Sequence, residues 1–253
     1  MTTQNTTLID AYRKQIRQCA HSLAVARNDA VLPFLSSRDV AGMVDVYTDG
    51  NLDKRIWKLT DRFEFLKDEF DELADWMQDY IRVVPLQAYD TGSSDSSIFL
   101  DWVRDNKPLT DTQQDCIACH QSRIAVEETA RDNRMAHVRF QDRLTVSGSL
   151  LDELESNSEL WLHLNPIRVW AAFRTTLLLD DNADLPADVL FFPVGVDVRT
   201  AVLEADGSSL IEHLGSLAPC RLNDLVNAAD EWDRADVIAV VRDLVEMGLV
   251  SLG

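Results

Sequence analysis

The segment from Leu190 to the C-terminus constrains the fold most, because two strand-like runs precede three short helical runs. The strand-like runs, "LFFPVGVDVR" and "TAVLEA", are rich in β-branched and aromatic residues. The first would place Val194, Val196 and Val198 on one face. The helical runs are "DGSSLIEHLG", "RLNDLVNAAD" and "DRADVIAVVRDLVEMG", and "LVSL" follows them. Asp233 and Gly248 are typical residues for the start and the end of the last helix.

The first half of the chain carries helical patterns instead. Residues 5–29 and 54–82 form long stretches in which apolar residues recur every three or four positions. In the second stretch this stripe consists of Ile56, Leu59, Phe63, Leu66, Phe70, Leu73, Met77 and Tyr80. The run "VPLQAYDTGSSDSS" lacks the periodicity and contains Pro, Gly and Ser, which predicts a loop over residues 84–97.

Three further elements are predicted after this loop. A short helix covers Ile98–Asp105, and a second helix begins at Thr110, whose side chain would form a capping box with Gln113. The second helix should extend to about Asn133. The residues His137–Val146 have a strand-like composition, so a strand is predicted there.

The change of pattern predicts two domains. Residues 1–147 would form a mostly helical domain, and residues 148–253 would form a domain that contains strands, including "LWLHLN" and "IRVWAAFRTTLLL". Strands followed by three short helices are typical of a winged helix. The predicted fold class is therefore α+β, with an N-terminal helical domain and a C-terminal winged-helix-like domain.

Charge restricts the class of partner. The chain has 43 acidic and 24 basic residues, which gives a formal net charge of −19. Such a chain repels phosphate backbones, so basic proteins or peptides are more natural partners than nucleic acid. No apolar run is long enough to span a bilayer, and the first 30 residues lack the order of a secretory signal. We therefore expect a cytoplasmic protein that does not bind membranes, with its cysteines as thiols.

The residues Cys116, Cys119 and His120 follow the spacing C-x-x-C-H of covalent c-type haem attachment. On a helix these positions share one side, so they could also offer three zinc ligands, although no fourth is evident. Ile117 and Ile124 lie near the same arc, and a free cysteine buries readily as a small apolar residue. A core role without covalent haem is therefore preferred, with a haem, metal or redox site as the alternative.

The sequence contains no recognisable catalytic constellation. It has no G-x-S-x-G, no phosphate-binding loop, no dinucleotide fingerprint and no H-E-x-x-H. The pattern therefore predicts a chain that is not itself an enzyme and that holds no cofactor.

The winged-helix-like segment has two possible uses. The helix that begins at Asp233 carries Asp236 and Asp243, so it would be a poor reader of a DNA groove. The other use is capture of an extended peptide, which adds as a strand to an open sheet edge beside the third helix. The predicted peptide-binding residues are Val198, Thr200, Ala201, Val202, Leu203, Asp236, Val237, Val240 and Val241. The valines of the helix would form shallow apolar pockets, and the carboxylates would favour a peptide with Lys or Arg.

The segment "FLDWVRDNKPLTDTQQDCIACHQSRIAVEETARDNRMAHVRFQDRL" (99–144), followed by the winged-helix-like C-terminus, resembles the small partner proteins of multinuclear non-haem iron enzymes. Those enzymes are TIM-barrel oxidases that modify cysteines in ribosomally made peptides, as in the methanobactin and 3-thiaglutamate pathways. The resemblance implies a helical part that docks onto the iron enzyme, and a recognition element that holds the leader of the precursor peptide. That element is related in shape to the peptide chaperone of pyrroloquinoline quinone synthesis. The resemblance also implies that iron is held by the partner enzyme.

The leading hypothesis is therefore a non-catalytic subunit that binds a precursor peptide and presents its cysteine to the iron oxidase, as a heterodimer with that enzyme. A haem-binding or thiol redox protein that uses C-x-x-C-H is one alternative. An acidic winged-helix regulator that acts through protein contacts is the other.

Overall fold

The computed structural model describes residues 50, 52–84, 94–179, 184–203, 205–229 and 232–253. Within these ranges helices combine with two antiparallel sheets, which confirms the predicted α+β class. The chain divides into two compact units, Met1–Gln113 and Gln114–Gly253. The helix predicted over residues 5–29 lies outside the described residues. No described helix is both long and apolar enough to cross a membrane.

The described part of the first unit contains helices and a short 3₁₀ turn. These elements are α1 (residues 52–62), the 3₁₀ turn Glu64–Asp68, α2 (Leu73–Val83) and α3 (Asp95–Asn106). The helix predicted over residues 54–82 is therefore interrupted between α1 and α2. Its apolar residues recur about every 3.5 positions, and such a stripe drifts around a straight helix. The interruption allows Phe63, Leu66 and Phe70 all to be buried.

A partly buried ion pair joins the helices of the first unit. Arg55 on α1 is 5% exposed and donates to both carboxylate oxygens of Asp95, at 2.7 and 2.6 Å. The Tyr80 hydroxyl donates to the same carboxylate at 2.7 Å. Burial, together with that carboxylate, raises the pKa of Tyr80 far above its ordinary value, so the phenol keeps its proton. Helix α3 begins at Asp95, earlier than predicted, because the Ser94 side chain caps it.

The capping box that was predicted to start the next helix is confirmed. Helix α4 (Asp111–Asp132) follows Thr110, whose Oγ1 accepts from the N–H of Gln113 at 3.2 Å. In return the Gln113 Oε1 accepts from the N–H of Thr110 at 3.1 Å. The helix ends within one residue of its predicted end.

The strand predicted over His137–Val146 is wrong, because these residues belong to α5 (Arg134–Ser147). Phe140 and Ser147 lie two turns apart on one helix face and are buried. The Ser147 hydroxyl oxygen also accepts from the N–H of Leu252 at 2.8 Å. A tertiary contact of this face therefore overrides the strand-like composition of the segment.

The described part of the second unit has six strands in two antiparallel sheets. The strands are β1 (Trp161–Leu164), β2 (Val169–Phe173), β3 (Ala187–Val194), β4 (Asp197–Val202), β5 (Cys220–Arg221) and β6 (Val250–Leu252). Their orders are β5-β1-β6 and β2-β3-β4. A 3₁₀ turn and three helices complete the unit: Gly148–Glu153, α6 (Ala205–Leu217), α7 (Leu222–Ala228) and α8 (Arg234–Met247). The three short helices and the strand at "LWLHLN" are thus confirmed.

The strand predicted to run through Val194, Val196 and Val198 folds back instead as a hairpin. β3 ends at Val194, and β4 begins at Asp197 after a two-residue turn. Gly195 in this turn has φ 64°, the left-handed conformation that two-residue hairpin turns require. Val196 lies at the tip and is 99% exposed.

β3 is buried on both faces. Leu190 and Phe192 belong to a large apolar cluster with residues of α6, α7, α8 and the first sheet. Val189 and Phe191 belong to a smaller cluster that includes Val126 of α4. This double burial explains the continuous apolar run of β3. Because β3 lies between β2 and β4, these two are the outer strands of the second sheet in the described part of the chain.

Candidate functional site

β4 leaves one edge of the second sheet open, because β3 is its only described neighbour. Val194 pairs with Asp197 across the two-residue turn, and such a turn is closed by a hydrogen bond between these two residues. Hydrogen-bonded and non-hydrogen-bonded pairs alternate along an antiparallel ladder. The residues of β4 whose N–H and C=O groups point to β3 are therefore Asp197, Arg199 and Ala201. Those whose groups point to the open edge are Val198, Thr200 and Val202.

The neighbouring strand supports this alternation. Pro193 is the register partner of Val198 and has no N–H. Its carbonyl oxygen accepts from Asn165 Nδ2 at 3.0 Å and from Gln141 Nε2 at 3.4 Å. The Pro193 carbonyl therefore faces away from β4, as expected of a non-hydrogen-bonded pair.

A groove of about 650 Å³ lies between the end of β4 and helix α8. Leu244 is buried at this place, and Leu203 and Val240 are half-buried. The lining residues are Val202, Leu203, Gly207, Trp232, Asp236, Ala239, Val240, Asp243, Leu244 and Met247. Those on α8 recur at steps of three and four, so one stripe of the helix faces the groove. An open strand edge beside a groove is a geometry that accepts an extended peptide.

The groove is acidic at its helical wall. The carboxylates of Asp236 and Asp243 are exposed. No lysine or arginine is among the described residues that line the groove. Arg199 approaches its end but donates from Nη1 to the carbonyl oxygen of Met247 at 3.2 Å. The wall therefore presents negative charge to a ligand.

The structure brings four of the nine predicted peptide-binding residues to the groove, namely Val202, Leu203, Asp236 and Val240. Val198 and Thr200 lie on the same strand, with their backbone groups at the open edge. Ala201 is only 8% exposed, and its side chain belongs to the large cluster.

Two of the predicted peptide-binding residues, Val237 and Val241, do not line the groove. Both valines are 0% exposed and belong to the large cluster. They lie one turn apart on the helix stripe that faces the core, whereas the groove faces the neighbouring stripe. Six lining residues are not in the predicted set, namely Gly207, Trp232, Ala239, Asp243, Leu244 and Met247. Repeated steps of three and four residues along α8 from Asp236 and Val240 lead to the last four.

The C-x-x-C-H residues lie within helix α4, as predicted. Cys116 is buried, and Cys119 is half-buried against the smaller cluster of β3. Burial raises the pKa of the Cys119 thiol, while the positive charge of Arg123 opposes the shift. Among the described residues, no three His, Cys, Asp or Glu side chains are grouped to hold a metal ion. The absence of covalent haem stays a prediction, with a haem, metal or redox site at Cys116, Cys119 and His120 as the alternative.

Comparison with known proteins gives no relative: no family model, no curated protein and no solved structure matches the chain.

Proposed function

We propose that this protein is a non-catalytic subunit that binds the leader of a ribosomally made precursor peptide and presents a cysteine of that peptide to a partner iron oxidase. The observation that carries the proposal is the open edge of β4 beside the groove along α8. A peptide that added to this edge would gain backbone hydrogen bonds from Val198, Thr200 and Val202. Its side chains would alternate between the groove and the opposite face. In this proposal the C-terminal part is a winged-helix-like peptide-recognition domain.

The charge of α8 favours a peptide over nucleic acid as the ligand. The groove-facing stripe of this helix carries Asp236 and Asp243. A phosphate backbone would be repelled by these carboxylates and by the net charge of −19. Backbone pairing with a peptide needs no positive charge on the protein, so the acidic wall does not oppose it.

In this proposal the partner iron oxidase, and not this chain, carries out the oxidation of the peptide cysteine. In this proposal the described lining of the groove, which contains no histidine, cysteine, serine or lysine, serves as a binding surface. The class of enzyme is proposed from the sequence resemblance to partner proteins of TIM-barrel iron oxidases. This enzyme would hold the iron and form a heterodimer with this chain. The helical part near residues 54–134 would dock onto that enzyme.

Peptide capture is tested with two variants of one residue. Val202→Pro removes an N–H that faces the open edge, a position where proline is tolerated in an edge strand. Val202→Ala keeps the N–H and removes only side-chain contact. Peptides selected from a randomised dodecapeptide library on the wild-type chain should bind Val202→Pro at least tenfold more weakly, and Val202→Ala within about threefold. Equal affinity for wild type and for folded Val202→Pro would overturn capture at β4.

The partner is tested by co-expression with a TIM-barrel iron oxidase of the class that the resemblance implies. We expect a stable heterodimer that contains iron, and oxidation of a precursor cysteine only when both chains are present. Oxidation by the iron oxidase alone at the same rate would contradict the proposed subunit role. A Soret band on this chain that survives acid-acetone extraction would instead favour the haem alternative.

A further inference from the structure

We infer that the groove selects an extended segment of the pattern basic-x-apolar-x-basic, with the three named side chains facing α8. The inference rests on the proposed peptide capture and names the chemistry of the peptide. It joins three features, which are the open edge of β4, the apolar lining residues of the groove and the carboxylates at its helical wall.

The spacing of the two carboxylates sets the spacing of the basic residues. Asp236 and Asp243 are seven residues apart on α8, or about 10.5 Å along the helix axis. Residues i and i+4 of a strand lie on the same face, about 13 Å apart. Long flexible side chains of Lys or Arg span the difference of roughly 3 Å.

The groove also has apolar lining residues, and these suit an apolar residue at position i+2. Ala239 and Val240 lie between the two carboxylates in the sequence of α8, and Leu203 contributes from the end of β4. A side chain at i+2 points to the same side as those at i and i+4, because strand side chains alternate. Each of the three side chains thus meets a matching part of the wall.

The position of Asp243 supports a ligand role. Arg242, the next residue, forms an ion pair with Glu155 at 3.2 Å. No ion pair of Asp243 with another described residue is present. Asp243 lies near the C-terminal end of α8, where the helix dipole does not favour a carboxylate. Asp236 lies in the first turn, where the dipole does favour it, so Asp243 is the stronger indication.

The test uses two fluorescent heptapeptides of the same composition, each flanked by Gly-Ser linkers. Thr-Lys-Thr-Ile-Thr-Arg-Thr places both basic side chains and isoleucine on one face, whereas Thr-Thr-Lys-Ile-Arg-Thr-Thr turns the basic side chains to the opposite face. By fluorescence anisotropy the first should bind the full chain at least tenfold more tightly. Asp236→Asn with Asp243→Asn should reduce this preference below threefold. The double lysine variant, Asp236→Lys with Asp243→Lys, should prefer the peptide in which Glu replaces Lys and Arg.

Failure of the pattern and failure of peptide capture give different results. If both heptapeptides bind equally and Val202→Pro weakens both, the pattern is wrong and the capture at β4 stands. If neither these peptides nor library-selected ones depend on Val202, the proposed function is wrong and the pattern falls with it. A preference that survives both asparagine substitutions also overturns the assignment of the two carboxylates.

Discussion

Asp115 on α4 is a buried carboxylate that holds the chain after β2. It is 2% exposed and accepts from the backbone N–H of Arg174 at 3.0 Å and from that of Thr175 at 2.7 Å. The Thr175 hydroxyl donates to it as well, at 2.7 Å. Asp115→Ala would leave these donors without their acceptor, so we expect the free energy of unfolding to fall by about 2–4 kcal/mol in urea titrations.

The matched control for this prediction is Asp132→Ala at the end of the same helix. Asp132 is exposed and pairs with its neighbour Arg131, and such surface pairs contribute less than about 1 kcal/mol. Asp115→Asn should lie between the two variants, because its amide keeps one acceptor oxygen. An Asp115→Ala protein as stable as Asp132→Ala would show that the backbone donors find other acceptors.

Cys119 should react slowly with iodoacetamide. The thiolate is the reactive form, and burial raises the thiol pKa, so less thiolate is present at a given pH than in the unfolded chain. The alkylation rate followed by peptide mapping should reach its half-maximum at a higher pH in the folded protein than in urea. Arg123→Gln should shift that pH further upward, since the arginine charge lowers the pKa.

Arg131→Gln removes a charge two helical turns further along α4 and serves as the control. It should leave the pH profile of Cys119 unchanged. A half-maximum below that of the unfolded chain would contradict the raised pKa and would strengthen the thiol redox alternative.

Helix α8 ends at Gly248, close to Val194 of the β3–β4 hairpin. Substitutions of Gly248 and of Gly195 in the hairpin turn test how tightly the two elements pack. Gly248 has φ 86°, and a Cβ there would lie 2.9 Å from Val194 Cγ2. Gly195 has φ 64°, but a Cβ there would meet nothing within 4 Å. Gly195→Ala should therefore cost about 1 kcal/mol of unfolding free energy from backbone strain alone. Gly248→Ala should cost more, about 2–3 kcal/mol, because it adds a steric clash.

A double mutant separates strain from clash at this junction. Val194→Ala in the Gly248→Ala background should restore part of the loss, which a double-mutant cycle measures as a coupling energy. Equal losses for the two glycine variants, with no coupling to Val194, would mean that the hairpin shifts to make room.

The net charge of the protein should make binding of basic peptides depend on salt. With a formal charge of −19 and two carboxylates in the groove, attraction to a basic peptide is screened as ionic strength rises. The Kd of Thr-Lys-Thr-Ile-Thr-Arg-Thr should increase about fivefold or more between 0.05 and 0.5 M NaCl. The Asp236→Asn, Asp243→Asn variant should show a smaller increase, which isolates the contribution of the groove from that of the net charge. An affinity independent of salt would exclude charge attraction as a source of binding.

Several parts of the fold follow from local sequence alone. The capping box of Thr110 and Gln113 and the end of α8 at Gly248 were predicted correctly, because caps depend on contacts within a few residues. The candidate site was predicted only in part. Its strand and helix were identified, and Val202, Leu203, Asp236 and Val240 line the groove.

By itself, the sequence determined the acidic character of the protein, the α+β class, and the order of three short helices after the strands of the hairpin. Only the tertiary structure decided that residues 134–147 form a helix, since burial of Phe140 and Ser147 outweighs their strand-like neighbours. It also decided the face of α8 that bounds the groove, with Val237 in the core and Val240 at the wall. Val237 and Val240 are the same residue type on the same helix, so their intrinsic preference for helix or strand and their hydrophobicity do not distinguish them. Which of them is buried in the core and which lines the groove depends on which side of the helix packs against the rest of the fold.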